Sequence, residues 1–185
     1  MARVLNAQGR GNYSTEQFTG NEAAYFGNEF EEKIITEAAE RLGIDQFNTD
    51  VPEVYHYEDL FSVSLDGILK NTSLALQASD GCKLMDGSQT MILEGDGICE
   101  AKLTSAPYSE VPPPYRGPWQ LQMQMMCYGA SWGVIATLYQ GVRLVLNVYP
   151  KDEQMQQQMA QSMPGSQSCE KPGGKKGKGK GKSTK

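Results

Sequence analysis

Ile98-Cys99-Glu100-Ala101-Lys102 sets two charged side chains into an apolar run, and Ser64-Leu65-Asp66-Gly67 does the same with one acid. A strand sends successive side chains to opposite faces, so Glu100 and Lys102 share one face and Cys99 and Ala101 the other. At a rise of ~3.3 Å per residue, the Cα atoms of the charged pair lie roughly 6–7 Å apart. Two carboxylates can hold a hard divalent cation, and a neighbouring ammonium can orient or deprotonate a water. That is a hydrolytic metal site in outline. The competing reading is a solvated ion pair on an amphipathic strand, worth ~0.2–1 kcal/mol.

Working outward, Phe26, Phe30, Ile34, Ala38 and Leu42 recur at four-residue steps and predict a helix over Asn21–Gly43, with Gly43 as its stop. Residues 44–60 read as irregular, and Phe61–Leu69 as a strand. Asp80-Gly81 and Asp86-Gly87 are turn dipeptides, so 71–89 is expected to be a hairpin or excursion between two strands. Met91–Leu93 reads as a short strand, Glu94-Gly95-Asp96-Gly97 as a turn, and Ile98–Leu103 as the next strand. Five prolines make 104–118 a loop. Trp119–Tyr128 reads as a helix ended by Gly129, and Val134–Tyr139 and Val142–Tyr149 as strands around Gln140-Gly141. This order predicts an α/β fold, a mixed central β-sheet flanked by helices.

The 185 residues suffice for one domain and a tail. The organisation expected is a flexible lead-in at 1–20, a domain at 21–152, a Gln/Met-rich segment at 153–169 compatible with a helix but without a clear apolar face, and a disordered Lys/Gly tail at 170–185. That tail holds seven lysines and one glutamate, a charge of +6, leaving 10 basic and 21 acidic side chains (−11) in the first 169 residues. An acidic body is not the usual footprint of a nucleic-acid binder, and only with local basic groups, metal ions or oligomer geometry to offset the repulsion would DNA be a substrate. The longest apolar runs fall short of a membrane span, and the polar N-terminus lacks the apolar stretch of a signal peptide. Four scattered cysteines and the single His56 argue against structural zinc, an iron–sulfur cluster or a disulfide scaffold, and point to a reducing cytoplasm.

Two further positions draw attention. Taking Phe30 as origin at 100° per residue, the apolar side chains span roughly 40° to 140°, and Glu31 falls inside that arc at about 100°. A carboxylate there needs a partner, either a backbone group at the helix edge or a metal. In the second helix Gln120, Gln124 and Cys127 share a face, and a glutamine facing the carboxylates would orient water or phosphate unless it simply faces solvent.

Phe26-Gly27-Asn28-Glu29-Phe30-Glu31, Ser64-Leu65-Asp66-Gly67-Ile68, Glu100-Ala101-Lys102, and Gln120-Leu121-Gln122-Met123-Gln124 with Gly129 and Trp132 occur in the order found in one known family. Over roughly residues 21–152 the chain resembles the lambda exonuclease/YqaJ viral recombinase branch of the PD-(D/E)xK nucleases. Leu65 stands where that family usually has proline, and the 33 residues between Asp66 and Glu100 imply an insertion. Arg3, Arg10 and Ser14 do not match the family's pocket for a DNA 5′ phosphate. The resemblance implies a Mg²⁺-dependent (or Mn²⁺-dependent) exonuclease digesting duplex DNA 5′→3′ in phage recombination or replication. Asp66, Glu100 and the Ala101 carbonyl would be metal ligands, and Lys102 would position the attacking water. Glu31 would complete the acidic cluster, and Gln120 would hold water or phosphate. It also implies a ring-like homotrimer and a single-strand annealing protein as partner. Tyr115 and Arg116 in the proline loop, and Lys175, Lys176, Lys178, Lys180 and Lys182 in the tail, are candidate DNA contacts. The alternatives are a structure-specific endonuclease of the same fold and a non-catalytic DNA-binding recombination protein.

Overall fold

In the computed structural model, residues 22–55, 62–108 and 117–162 are described. The 1–20 lead-in, Tyr115, Arg116 and the tail lysines lie outside these segments. The elements are α1 (Glu22–Leu42), β1 (Phe47–Asn48), β2 (Val54–Tyr55), β3 (Ser62–Val63), β4 (Gly67–Gln77), β5 (Cys82–Leu84), β6 (Thr90–Thr104), α2 (Pro118–Tyr128), β7 (Trp132–Tyr139), β8 (Arg143–Pro150) and α3 (Glu153–Ser162).

Six strands form one mixed sheet in the order β1-β4-β6-β7-β8-β5, and β2 and β3 pair separately. β4 and β6 are antiparallel, β6 and β7 parallel, β7 and β8 antiparallel. A tight turn cannot join parallel neighbours, so the chain crosses from β6 to β7 through α2. Ile34, Ile35, Ala38, Ala39 and Leu42 of α1 bury against one face, on Leu69, Leu93, Cys99, Val134, Ala136, Leu146 and Val148. On the other face Leu121 and Met125 of α2 pack on Leu65, Ile68, Ile98 and Ile135. The expected α/β architecture is present, and no helix among the described residues is long and apolar enough to cross a membrane.

One local expectation is corrected and two that were left open are settled. Glu94-Gly95-Asp96-Gly97 makes no chain reversal, because β6 runs unbroken for 15 residues. The glycines and Asp96 serve a β-bulge instead. Leu69 pairs with Gly97 and Thr72 with Gly95, which leaves one extra residue in β4. Gly95 and Asn71 take positive φ there (74° and 50°). Asp96 ties the bulge down: it accepts from Asn71 N–H (3.0 Å), Lys70 Nζ (2.8 Å) and the Tyr128 hydroxyl (2.7 Å). Burial pushes its carboxyl up, but these three donors together bring it down to about 2.

Second, of the hairpin or excursion expected at 71–89, the structure has the excursion, beyond Gln77. β4 and β6 are themselves the two arms, paired as far as Gln77 and Thr90, and β5 joins β8 in parallel at the opposite edge of the sheet. Third, 153–162 within the Gln/Met-rich segment is helical and packed. Gln156 Nε2 donates to the carbonyl and Oε1 of Gln122, and Asp152 N–H donates to that same Oε1. Gln122 Nε2 in turn donates to Pro150 O at 2.8 Å. Met159 adds the apolar contact. Amide hydrogen bonds replace the apolar stripe that sequence periodicity looks for.

Gly97 lies beneath the indole of Trp132, itself 2% exposed, and a Cβ there would come within 2.3 Å of the ring. Gly97→Ala is expected to destabilise the fold by about 1–3 kcal/mol through overpacking. Urea unfolding followed by far-UV circular dichroism measures it, and an unchanged midpoint would show that the ring does not press on this strand.

Candidate active site

Glu100 lies in the interior of the sheet, opposite Ile135 of β7 and beneath α2, with no solvent exposure. A buried carboxylate is tolerated only when its oxygens are paired and hydrogen-bonded. Lys102, two residues on along the same face, donates to Glu100 Oε1. Gln124 Nε2 donates to Glu100 Oε2 at 2.6 Å. The same amide donates to Ser64 O at 3.0 Å, which ties the segment before β4 to the β6 acid.

The β4–β6 pairing ends at Gly67 and Cys99, so the next inward-facing N–H of β6, at Ala101, has no strand opposite it. Asp66 takes that place, with its Oδ2 accepting from Ala101 N–H at 2.9 Å. Asp66 and Glu100 are thereby brought together. Burial first, then Glu100, then Glu31 push the Asp66 carboxyl up to about 7, against the pull of Ala101 N–H and Lys102. Glu31, half-buried on α1, is raised likewise by burial and by Glu100, while Lys102 lowers it. Three acids from three separate elements therefore feel one another's charge.

Of the residues expected from sequence, Asp66, Glu100, Ala101 and Lys102 converge, and Glu31 lies near enough for its charge to act on them. Ala101 contributes its N–H to Asp66. Gln120 is exposed at the start of α2, with Oε1 3.5 Å from Lys102 Nζ, so it borders the site without touching a carboxylate. The glutamine that touches one is Gln124, whose shared face with Gln120 at a four-residue spacing was the available signal. Cys99 points to the opposite face into the α1 core, and burial, Asp66 and Glu100 all push its thiol up, so it is no nucleophile.

No group of three or more His, Cys, Asp or Glu side chains among the described residues is arranged as a ready metal cage. The donor set nevertheless suits Mg²⁺, which needs one or two carboxylates and keeps several waters. Burial first, and the neighbouring Glu100 and Glu31 after it, raise Asp66, and a hard cation would favour its ionised form.

No family model and no curated protein matches the chain. Among solved structures, one described as "Crystal structure of SSO0001" is similar with a TM-score of 0.45 and 12% identity, covering 74% of this chain and 56% of that one. The chain thus spans just over half the length of that structure.

A carboxyl that binds its proton more tightly when folded supports the fold most below the ordinary carboxylate range, and loses that contribution as pH rises through about 7. Asp66→Asn keeps an acceptor for Ala101 N–H and removes the charge. It is expected to stabilise the metal-free protein at pH 8, on the order of 1 kcal/mol, and to change little at pH 4. Thermal melts across that range test it, and a variant less stable than the parent at pH 8 contradicts the charge crowding. Gln124→Ala strips a buried acceptor of its donor and is expected to cost about 1–3 kcal/mol. Gln120→Ala, at an exposed position, should stay within about 0.5 kcal/mol in the same denaturation assay.

Proposed function

We propose that the chain is a metal-dependent deoxyribonuclease. The observation that carries this reading is the hydrogen bond from Ala101 N–H to Asp66, which sets one acid beside the Glu100–Lys102 strand face. Asp66 and Glu100, with the Ala101 carbonyl, would hold Mg²⁺ or Mn²⁺, and Glu31 completes the acidic cluster. When bound, the cation supplies Lewis-acid polarisation of a phosphoryl oxygen and acidifies water. The protein's own part is orientation. Lys102, its stem anchored in β6, presents an ammonium to the attacking water and to the charge that develops on phosphate. Gln124 keeps Glu100 from turning away, and Gln120 offers Lys102 an acceptor on the solvent side.

The charge balance agrees with this assignment. A −11 body with an acidic site repels a polyanion, so catalysis on DNA needs a cation at the point of contact. The family resemblance extends the proposal to 5′→3′ digestion of duplex ends in phage recombination, as a homotrimer working with a single-strand annealing protein. Cys82, Cys99 and Cys127 are free thiols, in keeping with work in a reducing cytoplasm.

End-labelled linear duplex and a covalently closed circle, incubated with Mg²⁺ or Mn²⁺ and with chelator as control, form the test. Release of label from the linear substrate alone marks an exonuclease, and nicking of the circle marks an endonuclease. Asp66→Ala, Glu100→Ala and Lys102→Ala are each expected to lower the rate at least about 100-fold, with circular dichroism checking that each variant is folded. Binding without cleavage under both metals would favour the non-catalytic alternative, and full activity in any of the three variants would refute the site.

A further inference from the structure

Both oxygens of Glu100 are engaged by protein groups, Oε1 by the ammonium of Lys102 and Oε2 by the amide of Gln124. The ammonium therefore stands where a cation would have to stand to reach Oε1. It is not locked there. The Lys102 side chain is 34% exposed, and Gln120 Oε1, on the exposed first turn of α2, lies 3.5 Å from Nζ. A second observation points to a ligand. Gln124 is 1% exposed, its Nε2 is fixed on Glu100 and Ser64, and its Oε1 has no hydrogen-bond donor. Buried acceptors are rarely left so, and a water carried in by a cation is a donor of the right kind.

We propose that Lys102 is the placeholder cation of this site: its ammonium occupies the position at Glu100 that a divalent ion takes, and the ion binds by displacing it toward Gln120. The inference rests on the reading that Asp66 and Glu100 hold a divalent metal. Ionised, Asp66, Glu100 and Glu31 with one ammonium leave two negative charges, which one divalent ion balances. Without a resident cation the fully buried Glu100 would have no counter-charge during folding. With one, metal binding becomes an exchange of cations, and the same event moves Lys102 off its carboxylate and frees it to face an incoming phosphate. Removing the lysine should accordingly strengthen metal binding, the opposite of what removing a ligand does.

The test is calorimetric titration of Mn²⁺ and Mg²⁺ into the full chain, its Lys102→Met variant and Glu100→Gln. Lys102→Met is expected to bind about tenfold more tightly than the parent, because a competing charge has gone, and Glu100→Gln more weakly. In parallel, the parent with isotope-labelled lysine side chains is followed by NMR, Lys102 being assigned from the signal altered in Lys102→Arg. That signal is expected to shift as metal saturates the site, which keeps the proposal testable should Lys102→Met not fold. Unchanged or weaker binding by Lys102→Met, or a Lys102 signal indifferent to metal in a parent that binds it, overturns the placeholder role alone. Absence of binding by the parent and every variant refutes the metal site itself, and the placeholder with it.

Discussion

The burial of Glu100 in an interior strand is the constraint on which the arrangement turns. An ionised carboxylate taken out of water must be matched at both oxygens, and the sheet alone cannot do this. One match comes from the same strand, at the shortest spacing that returns to the same face. The other comes from α2, and so fixes how the helix is seated. Gln124 reaches Glu100 only because α2 lies close on β7, where a Cβ on Gly133 would meet Leu121 and Met125 at 2.9 and 3.1 Å. The packing that builds this face of the core and the hydrogen bond that satisfies the acid are one requirement.

That arrangement is stable enough to form and poor enough electrostatically to be useful. Asp66 replaces a missing strand by accepting a β6 N–H, which is favourable, but it does so beside Glu100 and within reach of Glu31, which is not. Burial and these two acids together push the carboxyl up to about 7. Asp96 offers the contrast. It lies on β6 and is bonded to Tyr128 of α2, and with an ammonium, an amide and a phenol around it the carboxyl is held at about 2 and merely staples a bulge. Same residue type, opposite electrostatic surroundings: the difference marks which of the two is poised to take up a cation.

Much of this was legible in the sequence because the signals were local and periodic. Two-residue alternation put Glu100 and Lys102 on one face, four-residue steps gave α1, and Gln140-Gly141 gave the β7–β8 turn, all as found. What was misread or left open was set by partners distant in the chain. Glu94-Gly95-Asp96-Gly97 has the composition of a turn, and only the opposing Lys70-Asn71 decides that it becomes a bulge. The helix at 153–162 has no apolar stripe to detect, because its anchor is the amide of Gln156 on Gln122. β5 is three residues long and pairs with a strand some sixty positions later, beyond any local pattern.

The two glutamines show most clearly where pattern stops and burial begins. Gln120 and Gln124 are equivalent by spacing, one turn apart on the same helical face, and nothing in their sequence neighbourhood ranks one above the other. In the fold they part. Gln124 falls where α2 meets the sheet and is held by Glu100 and the Ser64 carbonyl, while Gln120 falls at the exposed end, near the tip of Lys102. A buried glutamine with both neighbours fixed can only hold a carboxylate still. An exposed one beside a flexible ammonium can accept it in a second position. On the proposed mechanism these are the two tasks such a site requires, one immobile acid and one mobile cation, and a single turn of helix separates them.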